Sequence, residues 1–105
     1  MPEYEVAERA GDFVLLRLSG DWRDDVPVDQ VHRELEVHYV DDGVRRIRAD
    51  VADIVAIDLE GVAALLDLNR EAKRRGKTFL LENARGQVRE KLLTTGVLRY
   101  LSEDV

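Results

Sequence analysis

The chain alternates short apolar runs with longer amphipathic stretches. From Phe13 to Leu18 it reads FVLLRL, bounded by Gly11-Asp12 before and Ser19-Gly20-Asp21 after, and this predicts a strand. The weaker alternation of Tyr4, Val6 and Glu8 predicts a strand to pair with it as an opening hairpin. A polar run, Asp21 to Asp25, precedes Pro27, beyond which Val28, Val31, Leu35 and Tyr39 recur at helical spacing. The predicted helix therefore covers Val28 to Tyr39 and ends at Asp42-Gly43. A third strand, Val44 to Val51, leads to a helix from Glu60 to Arg75 with an apolar stripe of Val62, Leu65, Leu66 and Ala72, interrupted by Asn69. Lys73, Arg74 and Arg75 complement the negative end of that helix, and Gly76 terminates it. Thr78 to Glu82 predicts a fourth strand and Gln87 to Thr94 a short helix closed by Gly96. Leu98 to Leu101 then returns the chain to the core.

Side chains on a strand alternate sides, so each strand has two faces to compare. One face is apolar throughout: Val14, Leu16 and Leu18; Ile47, Ala49 and Val51; Phe79 and Leu81. The other carries Arg17, Ser19, Arg46, Arg48, Asp50, Thr78 and Glu82, and is expected to be at least partly wet. A doubly wound sheet, covered on both sides, would need apolar residues there. The pattern predicts an α/β fold with helices packed mainly on one sheet face.

Length and composition set the scale. The 105 residues suit one domain spanning the chain, and 45% hydrophobic with 36% charged residues suits a folded core under a well-solvated exterior. A net charge of −6 and a pI near 4.9 argue against nucleic acid as partner. The absence of cysteine removes disulfides, thiolate catalysis and sulfur-ligated metal sites, and suits a reducing compartment such as the cytoplasm. Neither the start of the chain nor any later stretch reads as a signal peptide or a membrane-inserted segment.

Candidate chemistry is sparse. The two histidines, His32 and His38, lie six residues apart on one predicted helix, poor geometry for a shared metal, and no metal or cofactor is expected. Ser19, Ser102, Thr78, Thr94 and Thr95 lack a nucleophile-elbow context. The acids Asp24, Asp25, Asp41 and Asp42 sit where capping and solubilising groups are ordinary. Gly61 has neither the neighbouring glycines nor the lysine of a nucleotide loop. No catalytic residue is assigned, and the chain reads as a non-enzyme.

One segment stands apart: Ile57-Asp58-Leu59-Glu60-Gly61-Val62, between a strand and the most apolar helix. Asp58 is a good helix N-cap and Glu60 suits the positive helix end, an effect of about 0.3–1 kcal/mol. The wider pattern comprises Asp50-Val51-Ala52-Asp53-Ile54, Ile57-Asp58 with Gly61, Arg75-Gly76-Lys77, Val88-Arg89 with Leu92, and Thr95-Gly96-Val97. Together with Leu18-Ser19-Gly20-Asp21 near the start, it resembles the STAS family, the domain of bacterial anti-sigma-factor antagonists. The resemblance spans nearly the whole chain. It implies a mixed sheet of four to five strands with helices on one side, and a protein that regulates transcription by capturing an anti-sigma factor or a related kinase-type ATPase.

In that family, capture is switched off by phosphorylation of a serine immediately after the motif's Asp. Here that position is Leu59 and the next is Glu60, so neither can accept phosphate on a hydroxyl, and residues 50 to 66 contain no Ser, Thr or Tyr. The early element's acid, three residues after its glycine, is matched by Arg23, with Asp24 adjacent. The expected partner surface is the turn Asp58, Leu59, Glu60, Gly61 and Val62 with the nearby Asp21, Arg23 and Asp24. Leu59 has two alternatives, an exposed contact anchor or a core residue. STAS domains also serve as small cytosolic subunits of lipid or anion transport complexes, which stands as the alternative function, and a homodimer is left open.

Overall fold

In a computed structural model, the backbone of residues 1–104 and the side chains of residues 1–101 are described. The chain opens with strand β1 (Pro2–Ala10), which turns at Gly11 and pairs antiparallel with β2 (Phe13–Trp22). From there each strand lies parallel to the one before: β3 (Arg46–Ile57), β4 (Thr78–Glu82) and β5 (Ser102–Asp104). The sheet order is the chain order, β1-β2-β3-β4-β5. Helices α1 (Val28–Tyr39), α2 (Leu59–Arg74) and α3 (Gly86–Thr94) make the three crossovers. Crossovers that step one way along a sheet, all right-handed, must leave every helix on the same face. One core results. Val14, Leu16, Leu18, Ile47, Ala49, Phe79 and Leu81 from the sheet meet Val31, Leu35, Leu65, Leu68, Ala72 and Leu92 from the helices.

The helices follow their periodicity closely. The first spans the predicted residues, while α2 and α3 each begin one residue earlier than their patterns suggested. Within α2 the buried stripe includes Leu68 and leaves Leu66 only partly covered, so Leu66 belongs to the edge of the stripe and Leu68 to its centre. The helices are tied by polar contacts as well. His32 on α1 lies 3.1 Å from the Tyr39 hydroxyl and 2.9 Å from an Asp67 carboxylate oxygen on α2.

β4 spans the predicted Thr78–Glu82, whereas β2 and β3 run longer than expected. β2 continues through Ser19-Gly20-Asp21 to Trp22, and this tryptophan, hidden in the sequence among charged neighbours, is fully buried with its indole N–H donating to the Ser19 carbonyl at 2.7 Å. Gly20 permits this: its φ is +82°, and a Cβ there would stand 2.2 Å from the Met1 carbonyl oxygen. β3 starts at Arg46, not Val44, and continues past Val51 to Ile57. Partners Arg17↔Asp50 and Ser19↔Asp53, then Gly20↔Ile54 and Asp21↔Ala56, show β3 gaining one extra residue at each of two bulges. The bulges shift the inward positions from Val51 to Ile54 and Ile57, breaking the simple alternation that marks a strand.

The outer sheet face carries its charged side chains among half-buried Phe13, Leu15 and Leu80, and one expectation for it needs correction. Glu82, expected to be wet, is only 7% exposed. It accepts two bonds from the Arg48 guanidinium, 2.6 Å from Nε and 3.0 Å from Nη2, and Arg48 in turn lies over the Phe13 ring at 4.4 Å. A paired, bidentate carboxylate can be buried where a lone one cannot.

Candidate functional site

The parallel pairing of β2 and β3 builds the site. Trp22 sits opposite Ile57, so the chain leaves both strands side by side at the carboxyl edge of the sheet, the edge where α/β folds gather their surface loops. After β2 the chain turns through Asp24 and Asp25, whose φ values of +50° and +45° are tolerated by short polar side chains. After β3 it enters α2 at once. Asp58 is the N-cap: its backbone is extended, and its Oδ1 accepts from the Glu60 N–H at 2.9 Å and the Gly61 N–H at 3.2 Å.

Arg23 folds back on its own segment. Its backbone N–H, Nε and Nη2 all donate to Asp21, with side-chain distances of 2.8 and 2.7 Å. The Arg23 bond holds the Asp21 carboxyl below its ordinary range, and Asp21, then Asp24 and Asp58, raise the guanidinium above its own. Asp24 and Asp58 thus lie within electrostatic reach of Arg23.

The six-residue turn divides into outer and inner members. Leu59 is 68% exposed and Glu60 is exposed beside it, which resolves Leu59 as a surface residue and not a core one. Val62, expected on the partner surface, is 3% exposed and faces the core, since it lies one turn before Leu65 on the buried stripe that Leu68 and Ala72 continue. Gly61 is also buried, packed against the Trp22 carbonyl, so neither its side nor that of Val62 can meet a partner.

Two features escaped sequence reading. Val55, near the end of β3, is as exposed as Leu59, at 68%. Its signal was the alternation Asp53-Ile54-Val55-Ala56-Ile57, obscured by the bulge before it. A shallow groove of about 410 Å³ also lies beside Glu60, lined by Val26, Val28, Ala63 and Leu66 with Asp67 and Arg70. Val26 and Val28 come from the α1 entrance and the rest from α2, so only the tertiary packing creates it.

The surface thus combines exposed aliphatic side chains with a surplus of carboxylates. Among the described residues no group of three or more His, Cys, Asp or Glu side chains is placed to hold a metal ion, and no helix is long and apolar enough to cross a membrane.

A mixed sheet covered by helices on one face, with a capped helix start beside the end of β2 at its carboxyl edge, defines the architectural class. The chain belongs to the STAS family: the sequence model described as "Mlab, STAS domain" matches residues 6–102. Among curated proteins none matches the chain. The solved structures similar to it include the anti-sigma factor antagonist SpoIIAA in its unphosphorylated form, with a TM-score of 0.75 and 18% identity over 98% of this chain and 89% of that one. A variant of RsbS from Moorella thermoacetica matches with a TM-score of 0.74 and 19% identity over 93% of this chain and 83% of that one. The murine anion transporter Slc26a9 matches with a TM-score of 0.66 and 17% identity over 89% of this chain but only 15% of the transporter. At these identities the likeness establishes the fold.

Proposed function

We propose that this domain is a non-enzymatic protein-capture module of the anti-sigma-antagonist kind, which binds an anti-sigma factor or a related kinase-type ATPase without a phosphorylation switch. The observation that carries the reading is Leu59. A leucine 68% exposed at a helix start, flanked by Asp58 and Glu60, has no packing role in the domain and suits an anchor for a partner pocket with a basic rim. Asp21, Arg23 and Asp24 extend the surface across the sheet edge. Because Leu59 occupies the position where the family's phosphoacceptor would stand, binding is set by partner availability and not by hydroxyl phosphorylation at this turn.

The test uses two variants, Leu59→Asp and Glu60→Lys, titrated against anti-sigma factors or kinase-type ATPases encoded beside this chain. Both variants are expected to melt within a few degrees of the wild type, since both side chains are exposed, and to lose roughly 1–3 kcal/mol of association free energy each. Unchanged affinity in both variants refutes the surface. The alternative, a STAS subunit of a lipid or anion transport complex, draws support from the "Mlab, STAS domain" match and from the likeness to the STAS region of an anion transporter. Co-purification with a membrane permease and its ATPase, in place of a sigma-factor regulator, would favour it.

A further inference from the structure

The second half of α2 carries a different surface. Between it and the 3-10 turn Leu98–Tyr100 runs an open groove of about 610 Å³. In a chain of net charge −6, this groove is lined by three exposed cations, Arg70 and Lys73 from α2 and Arg99 from the turn. Among the described residues no carboxylate pairs with Lys73 or Arg99, and Arg70 meets Asp67 only at 3.7 Å. Leu66 and the half-exposed Tyr100 ring add apolar surface.

Asn69, also lining the groove, ties its two walls: it is 7% exposed and its Nδ2 donates to the Tyr100 carbonyl at 3.3 Å, holding the last turn against α2. The groove therefore asks for negative charge and apolar surface together. A bare phosphate or sulfate dianion meets the cations but leaves Leu66 and Tyr100 uncovered. An acidic peptide brings carboxylates and apolar side chains on one strand.

We propose that this groove binds an acidic peptide segment of a partner protein, with carboxylates on Arg70, Lys73 and Arg99 and an apolar side chain against Leu66 and Tyr100. The acidic remainder of the surface repels such a segment, so the charge pattern also selects the place. The proposal rests on the reading of the domain as a protein-binding module; its groove shares Leu66 and Arg70 with the one beside Glu60 but includes neither Leu59 nor Glu60.

The probe is a fluorescein-labelled peptide of alternating glutamate and phenylalanine, followed by fluorescence anisotropy on the full chain. Saturable binding is expected, weakened about tenfold or more by Lys73→Glu or Arg99→Glu, both exposed and free to change without unfolding the domain, and weakened further by salt. Leu59→Asp is expected to leave this binding within about twofold, which separates failure here from failure of the Leu59 surface. In amide NMR spectra the Asn69 side-chain resonances are expected to shift on peptide addition. The proposal falls if no saturation appears up to about 1 mM peptide, if both charge reversals leave binding unchanged, or if a lysine-for-glutamate peptide binds equally well. It falls too if the Asn69 amide stays still, or if inorganic pyrophosphate binds the same residues as tightly, which would make this a bare-anion site.

Discussion

Gly61, at the start of α2, lies against the backbone carbonyl of Trp22 at the end of β2: a Cβ built on Gly61 would stand 2.3 Å from that oxygen and 2.6 Å from Cγ1 of Ile57. This contact sets how closely the candidate surface of α2 approaches the Asp21–Asp24 segment. In an open helix, replacing glycine by alanine stabilises by up to about 1 kcal/mol. Here the sign is expected to reverse. Gly61→Ala should cost about 1–3 kcal/mol, because the obstructing atom is backbone and the helix start must shift. Thermal unfolding measures it, and a raised melting temperature would show that α2 has room the structure denies.

The Lys77 ammonium yields a second expectation. It is buried and donates to the carbonyls of Asp41 at 2.8 Å and Val44 at 2.6 Å, fastening the α1-to-β3 loop to the start of β4. Lys77→Met keeps the aliphatic stem and removes the donors. A loss of about 1–3 kcal/mol in urea unfolding is expected, the cost of leaving polar atoms buried without partners. A neutral or stabilised variant would mean that water replaces the ammonium.

Acid should loosen the α1–α2 pairing through Glu71. Its carboxyl receives the Arg74 guanidinium at 2.9 and 2.6 Å and Arg75 Nε at 2.8 Å, and Arg75 also reaches Glu36 on α1. The Arg74 bond first, then the Arg75 bond, hold Glu71 at about 2, below its ordinary 4.5. A carboxyl depressed on folding stabilises above its unfolded value and loses that contribution as pH falls through its folded value. The gap in stability between wild type and Glu71→Gln is therefore expected to be full above pH 4.5 and to close towards pH 2. Melting curves across that window decide it, and a gap independent of pH would remove Glu71 as its source.

The helices of this protein were legible in its sequence because their positions depend on a local period. Val31, Leu35 and Tyr39 recur every turn or so, Asp58 offers a cap, Gly76 a stop, and such signals act between residues a few places apart. The apolar face shared by Val14, Leu16, Leu18, Ile47, Ala49, Phe79 and Leu81 likewise fixed which side of the sheet the helices cover. At the site, the cap role of Asp58 and the lack of a hydroxyl at Leu59 and Glu60 could be read directly.

What the sequence could not decide depended on partners distant along the chain. The burial of Trp22 needs the added length of β3 beside β2, and that length comes from two bulges whose extra residues erase the alternation. Glu82 is buried only because Arg48, 34 residues away, closes on it. Whether Leu59 pointed outward and Val62 inward turned on how α2 seats against the Trp22 carbonyl. The groove holding Asn69, Arg70, Lys73 and Arg99 exists only once the last turn folds back on α2. Periodicity determines which side of an element is apolar; the packing of elements against one another decides which polar groups are buried, which apolar ones stay exposed, and therefore where this protein offers a surface to bind.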